Sequence, residues 1–438
     1  MFQYYFLLGL RSLRRNPALT ALMVLTLAVG VAASISTLTI LHVMSGDPIP
    51  AKSDRLFAPT FDNGPLSNYQ PGEELEDEQL SYRDAVNLLA SSAGVRRTAM
   101  YGIGAPIESE RKDLGVFGAR GEAVTSDFFA MFDAPFRVGQ GWSPADDKAG
   151  ASVIVLSRAL SEKLYGDANP IGRRITFSGN AYQVIGVLET WKVVPRFHHI
   201  IGAIDGAFDE EDQFYVPLST AVQRQIGRNG NMSCTTDPGA GFQAVLDSEC
   251  TWLHFWFETA TGADRAALQD FVNSYAAEQR KLGRMQRNAP NKLYNVKEWL
   301  EHQKVVGNDN KLSAWLAFGF LLLCLVNTVG LLLAKFSVRA AEVGIRRALG
   351  ASRRDIFRQF LIESTVIGLA GGLLGLLLAF GALALIAMQS KALTVVAQMD
   401  WIMLLSTFCL AIAAAILAGL LPTWRACQVT PALQLKSQ

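Results

Sequence analysis

Apolar residues are spread unevenly along the chain. Four long apolar runs, about 18–44, 312–334, 360–388 and 400–422, flank a middle stretch where apolar residues come in short bursts between charged ones. A bilayer core about 30 Å thick takes roughly 20 residues of apolar helix, so each run predicts a membrane-crossing helix. The first run is much longer than the roughly 7–15-residue apolar segment of a cleaved leader. Despite Arg11, Arg14 and Arg15 ahead of it, it is expected to remain as an anchor. Asn16 and Pro17 supply a cap and a first helical position. Residues 2–15 suit a short helix at the headgroup level. Gly30, Ala33, Ser34 and Thr37 would let a neighbouring helix come close.

The middle stretch reads as mixed α/β. Ser81 to Leu89 suits a helix, and Ser152 to Leu156 a strand whose following Ser157 can cap a helix. Arg174 to Phe177 and Tyr182 to Leu188 predict a hairpin around Gly179-Asn180. Thr251 to Thr259 predicts a strand with Trp252, His254 and Trp256 on one face and Leu253, Phe255 and Phe257 on the other. Residues 264–282 suit an amphipathic helix leading back to the membrane, whereas 190–250 yields little regular structure. A connection that long usually carries function or lacks order. There is no internal repeat.

Composition hides a charge pattern. Half of the 438 residues are apolar, 18% are charged, and the net charge is +1. Yet residues 1–17 carry three basic and no acidic side chains, 335–358 seven basic and two acidic, and 423–438 two basic and none acidic. Residues 45–310 carry 26 basic and 35 acidic. Lys and Arg collect beside helix ends on the cytoplasmic side, and four crossings from an inside start put all three basic segments there. The expected fold class is therefore a membrane α-helical protein of four transmembrane helices, with a large mixed α/β extracytoplasmic domain inserted between helices 1 and 2. The expected order is a cytoplasmic interfacial helix (1–17), helix 1 (18–44), the outer domain (45–311), helix 2 (312–334), a cytoplasmic segment (335–359) and helix 3 (360–388). A short outer loop (389–399), helix 4 (400–422) and a cytoplasmic tail (423–438) follow.

Candidate chemistry is sparse. The sequence has no Gly-x4-Gly-Lys-Ser/Thr loop to hold ATP phosphates, no His-Glu-x-x-His and no Cys-x-x-Cys pair. No catalytic residue, metal site or nucleic-acid partner is expected. His198 and His199 read as surface-loop residues and His254 as one position on a strand face. The acidic runs Glu73 to Glu78 and Asp209 to Asp212 read as solvated surface. Cys324, Cys409 and Cys427 read as packing residues. Cys234 and Cys250, alone in the outer domain, either pair in an oxidising compartment or stay as two buried thiols.

The most informative stretch runs from Ser337 to Gly375. A basic amphipathic helix follows the second crossing, breaks at Gly350-Ala351-Ser352, and resumes under a Ser352 cap with Arg353, Arg354 and Arg358. Positive loop charge alone explains the arginines, but not helix, turn and helix in so short a connection. Such an element is shaped to dock on a cytoplasmic partner. Glu363, near the inner end of the third crossing, is either a structural hydrogen-bonding group or a coupling group. Gly368, Gly371, Gly372 and Gly375 fall on one helical side and predict a tight helix contact.

These residues carry a resemblance to a known family. Glu342 to Ala351, Arg353 to Ile356 and Phe360 to Glu363 resemble the MacB/FtsX-type (type VII, mechanotransmitting) ABC transporter permeases. Pro422 to Ala426 with Thr430-Pro431-Ala432 is similar to the closing element of that family, with fewer arginines than usual. In the outer domain, Val124 to Phe132, Gly139 to Trp142, Asn169 to Gly172 and Tyr182 to Val187 resemble its periplasmic core. The resemblance touches nearly the whole chain except about 190–250. It implies a dimer with a second permease, identical or homologous, and two copies of an ABC ATPase that hold ATP and Mg. It also implies a bacterial inner-membrane location with both termini in the cytoplasm. MacB carries its ATPase on the same chain; here the anchor comes first, so the ATPase is expected on a separate chain, and this one as a non-catalytic subunit with no cofactor. The residues expected to couple to that ATPase are Arg339, Glu342, Gly344, Arg346, Arg347, Gly350, Arg353 and Arg354. Export of peptide, antibiotic or lipid-linked cargo through a periplasmic adaptor and outer-membrane duct is the expected function. The alternative is an FtsX-like regulator that passes force to a periplasmic enzyme without transport.

Overall fold

The computed structural model describes residues 16–64, 66–67, 69–72, 78–109, 111, 113–203 and 206–389, with isolated positions from 405 to 424. The helix expected over 2–15, the loop over 390–399, the fourth crossing and the tail lie outside the described residues. The chain divides into two compact units, one of Met1–Ser45 with Val306–Gln438, the other of Gly46–Val305.

In the first unit, three helices are long and apolar enough to cross a membrane: Pro17–Ser45, Asn308–Val338 and Arg353–Ala387. At 1.5 Å per residue, even the 29-residue first helix reaches about 43 Å. The first packs against both of the others. Met23, Leu27, Leu332, Phe336, Phe360 and Ile367 form one apolar cluster, and Val31, Ile35, Leu321 and Ala379 another further along. Leu22, Trp315, Leu323 and Leu377 stay exposed, an apolar surface that a bilayer would cover. The third helix overruns its apolar run. It begins at Arg353, so its charged first turns and its apolar body are one continuous rod.

The second unit is built on a mixed sheet of eleven strands among the described residues. They are β1 (Leu56–Thr60), β2 (Leu80–Ser81), β3 (Arg96–Glu108), β4 (Val116–Val124), β5 (Phe136–Gly139), β6 (Val153–Leu156), β7 (Arg174–Phe177), β8 (Asn180–Leu188), β9 (Phe214–Pro217), β10 (Thr251–Glu258) and β11 (Lys292–Asn295). Pairing runs β11-β1-β10-β3-β4-β9-β6-β8-β5, and β7 joins β3 to β8. The six strands β3, β4, β9, β6, β8 and β7 therefore close a circuit. It encloses Ile103, Ile107, Ile154, Ile175, Phe177, Val184 and Phe214, with the Phe177 and Phe214 rings 4.5 Å apart. From β3 the sheet continues as an open flange of β10, β1 and β11. The helices Tyr82–Ala90 and Arg265–Lys281 pack on one face of it, and Phe128–Met131 and Val296–His302 on the other.

Local sequence explains most of these elements. Ser81, Ser143, Ser157 and Asn295 cap helices with side chains that accept a backbone N–H of the first turn. Ser178 and Gly179 both have positive φ, the two-residue turn that suits the twist of the β7–β8 hairpin. β10 departs from the expected alternation. All eight of its residues are buried, because helices cover both faces, and Trp252 joins the cluster of Leu253, Phe255 and Phe257 rather than that of Trp256. A register shift between Thr251 and Leu253 against β2 moves Trp252 out of step. The 190–250 stretch holds more than expected. It contributes β9 to the closed circuit and the helices Leu218–Gln223 and Phe242–Asp247. The 265–281 helix does not lead straight into the second long helix; β11 and the Val296–His302 helix intervene.

Candidate functional site

The 337–358 stretch forms a capped helix–turn–helix. Arg339 ends the second long helix and starts the short helix Ala340–Ala348. That helix stops in a Schellman motif: the Ala351 N–H donates to the Arg346 carbonyl at 3.0 Å, and the Gly350 N–H to the Arg347 carbonyl at 3.1 Å. Gly350 has φ +97°, a conformation costly for any residue with a Cβ. Ser352 then caps the third long helix, accepting the Asp355 N–H at 3.2 Å. The turn is fixed at both ends by backbone chemistry.

The expected coupling residues sit in two settings. Arg346 donates to Glu342 at 2.6 Å and to Gln359 at 2.9 Å, tying the short helix to the third long one. Gly344 and Arg347 are half-buried, while Gly350, Arg353 and Arg354 are exposed. Between them, Ile345 and Leu349 are 61% and 82% exposed, and Val338 is equally open. Ile345 and Leu349, four apart at the end of the short helix, lie on one side of it, so the element presents apolar side chains in the same stretch as Arg346, Arg347, Arg353 and Arg354. Arg339 turns the other way, its Nη1 lying 3.1 Å from the buried Glu363 carboxylate. Lys335 shares that carboxylate at 2.6 Å with its ammonium fully buried. Reading the sequence placed Lys335 only at the end of a crossing. The signal available was its charge, opposite to that of Glu363, at the matching end of the neighbouring apolar run.

Gly368, Gly371, Gly372 and Gly375 of the third helix are all buried. A Cβ on Gly371 would meet Leu27 Cβ at 2.8 Å, and one on Gly375 would meet the Ala28 carbonyl oxygen and Val31 Cβ at 2.9 Å. Across the first helix, Gly30 would press on Cys324 Cβ at 2.9 Å.

The large domain holds a second polar constellation. His198 and His199 are not loop surface but buried, and so is Asp212 of the second acidic run. The reason is local: the segment folds back on the sheet and seats its rings among aromatic residues. His198 stacks between Phe132 and Trp191, at 5.3 and 5.4 Å between ring centroids. Its ring nitrogens have no hydrogen-bond partner among the described residues, and burial pushes its pKa down to about 3. His199 Nδ1 lies 2.5 Å from Glu122, and its ring faces His254 at 4.9 Å. Burial, aided by His199, pushes His254 down to about 3 as well. Burial alone would raise the Glu122 carboxyl, but His199 and Arg196 outweigh it and hold the group below its ordinary value. Glu122, His199 and Asp212 each offer a ligand atom within 4.8 Å of the others. The Arg196 guanidinium already lies between the two carboxylates, 3.2 Å from Glu122 and bonded to Asp212. The arrangement is thus an ion-pair cluster, with a cation supplied by the chain itself. Cys234 and Cys250 are bonded to each other, next to the isolated pairing of Ser233 with Thr251.

A bundle of apolar helices with a basic helix–turn–helix, on the same chain as a large sheet domain, defines a membrane protein of the permease class. Residues 20–275 match the family model of the MacB-like periplasmic core domain, and 314–431 that of the FtsX-like permease C-terminal region. The chain belongs to the MacB/FtsX-type ABC transporter permeases. It is 28% identical over 317 residues to the pyoverdine export ATP-binding/permease protein PvdT of Pseudomonas syringae pv. tomato, covering 71% of this chain and 42% of that one. It is 27% identical over 249 residues to the macrolide export ATP-binding/permease protein MacB of Bdellovibrio bacteriovorus, covering 56% and 33%. The chain thus spans less than half the length of these curated relatives. Among solved structures, the periplasmic region of MacB from Actinobacillus actinomycetemcomitans matches 59% of this chain and 96% of its own, at 14% identity and a TM-score of 0.37.

Proposed function

We propose that this chain is the non-catalytic permease subunit of a bacterial inner-membrane ABC transporter. It receives force from an ABC ATPase on another polypeptide, which holds ATP and Mg, and passes it to the large domain on the periplasmic side. Two permeases, identical or homologous, and two ATPase copies make up the working unit. The force drives export of peptide, antibiotic or lipid-linked cargo, with a periplasmic adaptor and an outer-membrane duct as further partners. The names of the relatives support export; the large domain, bigger than FtsX-type regulators usually carry, supports it too.

The observation that carries the coupling role is the fixed turn with Ile345 and Leu349 exposed beside Arg346, Arg347, Arg353 and Arg354. Exposed apolar side chains in a stretch rich in arginine suit a groove with an acidic rim, and Arg gives its contacts direction. The test is purification of the full chain with its native partners. An ABC ATPase is expected to copurify in equal copy number. In the Glu342→Ala/Arg346→Glu variant, insertion is expected to be normal, while copurification or stimulated ATP turnover falls at least about tenfold, since truncating a buried charged contact costs about 2–5 kcal/mol. Wild-type levels of both would make the segment a topology signal only. An adaptor and duct in the same preparation favour export; a cell-wall hydrolase in their place favours the regulatory alternative.

A further inference from the structure

Lys335 lies in the last turn of the second long helix, and Glu363 about three turns into the third. Both side chains are closed off from solvent, at 0% and 2% exposure. The carboxylate takes the Lys335 ammonium at 2.6 Å and the Arg339 guanidinium at 3.1 Å. Arg339 is the joint: one backbone helix ends there and the next begins. Around the joint, the tilted rings of Phe336 and Phe360 meet at 4.3 Å between centroids, and Val343 and Ile356 belong to the same apolar cluster. Ionisable groups at such depth are costly and mark function more often than decoration. A bend between two helices would otherwise absorb a push on the outer one.

We propose that Glu363 is a positioning residue: through Lys335 and Arg339 its carboxylate locks the joint, so that the short helix and the second and third long helices move as one body. This deepens the coupling reading and relies on it only for the source of the push. Stability alone does not require the arrangement. Replacing both partners of a buried ion pair by apolar side chains is often neutral, whereas removing one strands a charge.

The two roles separate experimentally. In the full chain, with Cys324, Cys409 and Cys427 changed to alanine, spin labels at the exposed Leu22 and Ile345 report the distance from the first helix to the short helix by pulsed electron paramagnetic resonance. The expected wild-type distribution is narrow. Arg339→Gln leaves the buried Lys335–Glu363 pair in place and is expected to at least double the width. Lys335→Met/Arg339→Gln/Glu363→Leu, which removes all three charges together, is expected to insert and unfold at the wild-type temperature, yet broaden the distribution as much. In both variants, stimulation of the copurified ATPase falls at least tenfold. Wild-type widths in Arg339→Gln overturn the proposal, whatever the second variant does. The label readout needs no ATPase: broadening with no ATPase in the preparation sinks the coupling reading and leaves the lock standing. Lost stimulation with wild-type widths sinks the lock alone.

Discussion

His198 sits in an aromatic box with nothing to bond its ring nitrogens among the described residues, and the box decides its charge. A histidine held near a pKa of about 3 in the fold, against an ordinary 6.5, stays neutral while the unfolded chain takes up a proton. Stability is therefore fully present above pH 6.5 and falls as the pH drops toward 3, by about 1.4 kcal/mol per pH unit for each such ring. His254 adds the same sign. So does Glu122, whose depressed carboxyl gives stability that acid removes. Since five of the eight tryptophans lie within residues 46–305, their fluorescence follows unfolding of this domain. His198→Phe keeps the stacking and removes one titrating ring. It is expected to change stability little at pH 7.5 and to raise it by about 2 kcal/mol at pH 5 relative to wild type. Parallel wild-type and variant pH profiles would contradict the assignment. None of this was legible in the His198-His199 dipeptide, which has the look of a polar loop. Its burial depends on Phe132, Trp191 and Glu122, residues that only the fold brings near.

At the scale of elements, the helices were more legible than the strands. A membrane helix is written in one contiguous run, and caps such as Ser81, Ser157 and Ser352 are local. By contrast, β3 carries Gly102, Gly104 and Pro106, and β9 is four residues ending in proline. Their pairing partners, not their own periodicity, make them strands. Gly102 is needed because a Cβ there would meet His199 Cε1 at 2.7 Å. The glycine side of the third helix could be read as a contact face, but not which helix it faces; the structure supplies Leu27, Ala28 and Val31 of the first. Gly375→Val is thus expected to force two backbones apart, at a cost of about 1–3 kcal/mol. Gly381→Val, with nothing within 4 Å among the described residues, is the matched control. In detergent, the first variant should aggregate at a clearly lower temperature and the second should not. Equal melting of the two would mean that the helices are not packed through Gly375.

For the whole molecule, the argument rests on charge. The basic excess at 1–17, 335–358 and 423–438, against an acidic 45–310, is the reason to expect the three short segments in the cytoplasm and the large domain outside. Cysteine bonding in the large domain is compatible with an oxidising compartment, where disulfides persist. An impermeant thiol reagent on intact spheroplasts tests this directly, in a background lacking Cys324, Cys409 and Cys427. The probe sites must be chosen on the structure. Gly64 looks suitable in sequence, yet a Cβ there would strike the Arg287 guanidinium at 2.5 Å, so a cysteine would disturb the domain it reports on. Ser67 is exposed and three residues away. Cysteines at Ser67 and Ser390 are expected to label from outside. Cysteines at Ser352, exposed at the capped turn, and at Ser437 are expected to label only after the membrane is opened. Ser390 is the decisive position for the helix count, because it reaches the outer side only if the third run crosses, and Ser437 returns inside only if a fourth does. Labelling of Ser352 in intact cells would invert the topology and remove the cytoplasmic face on which an ATPase could dock.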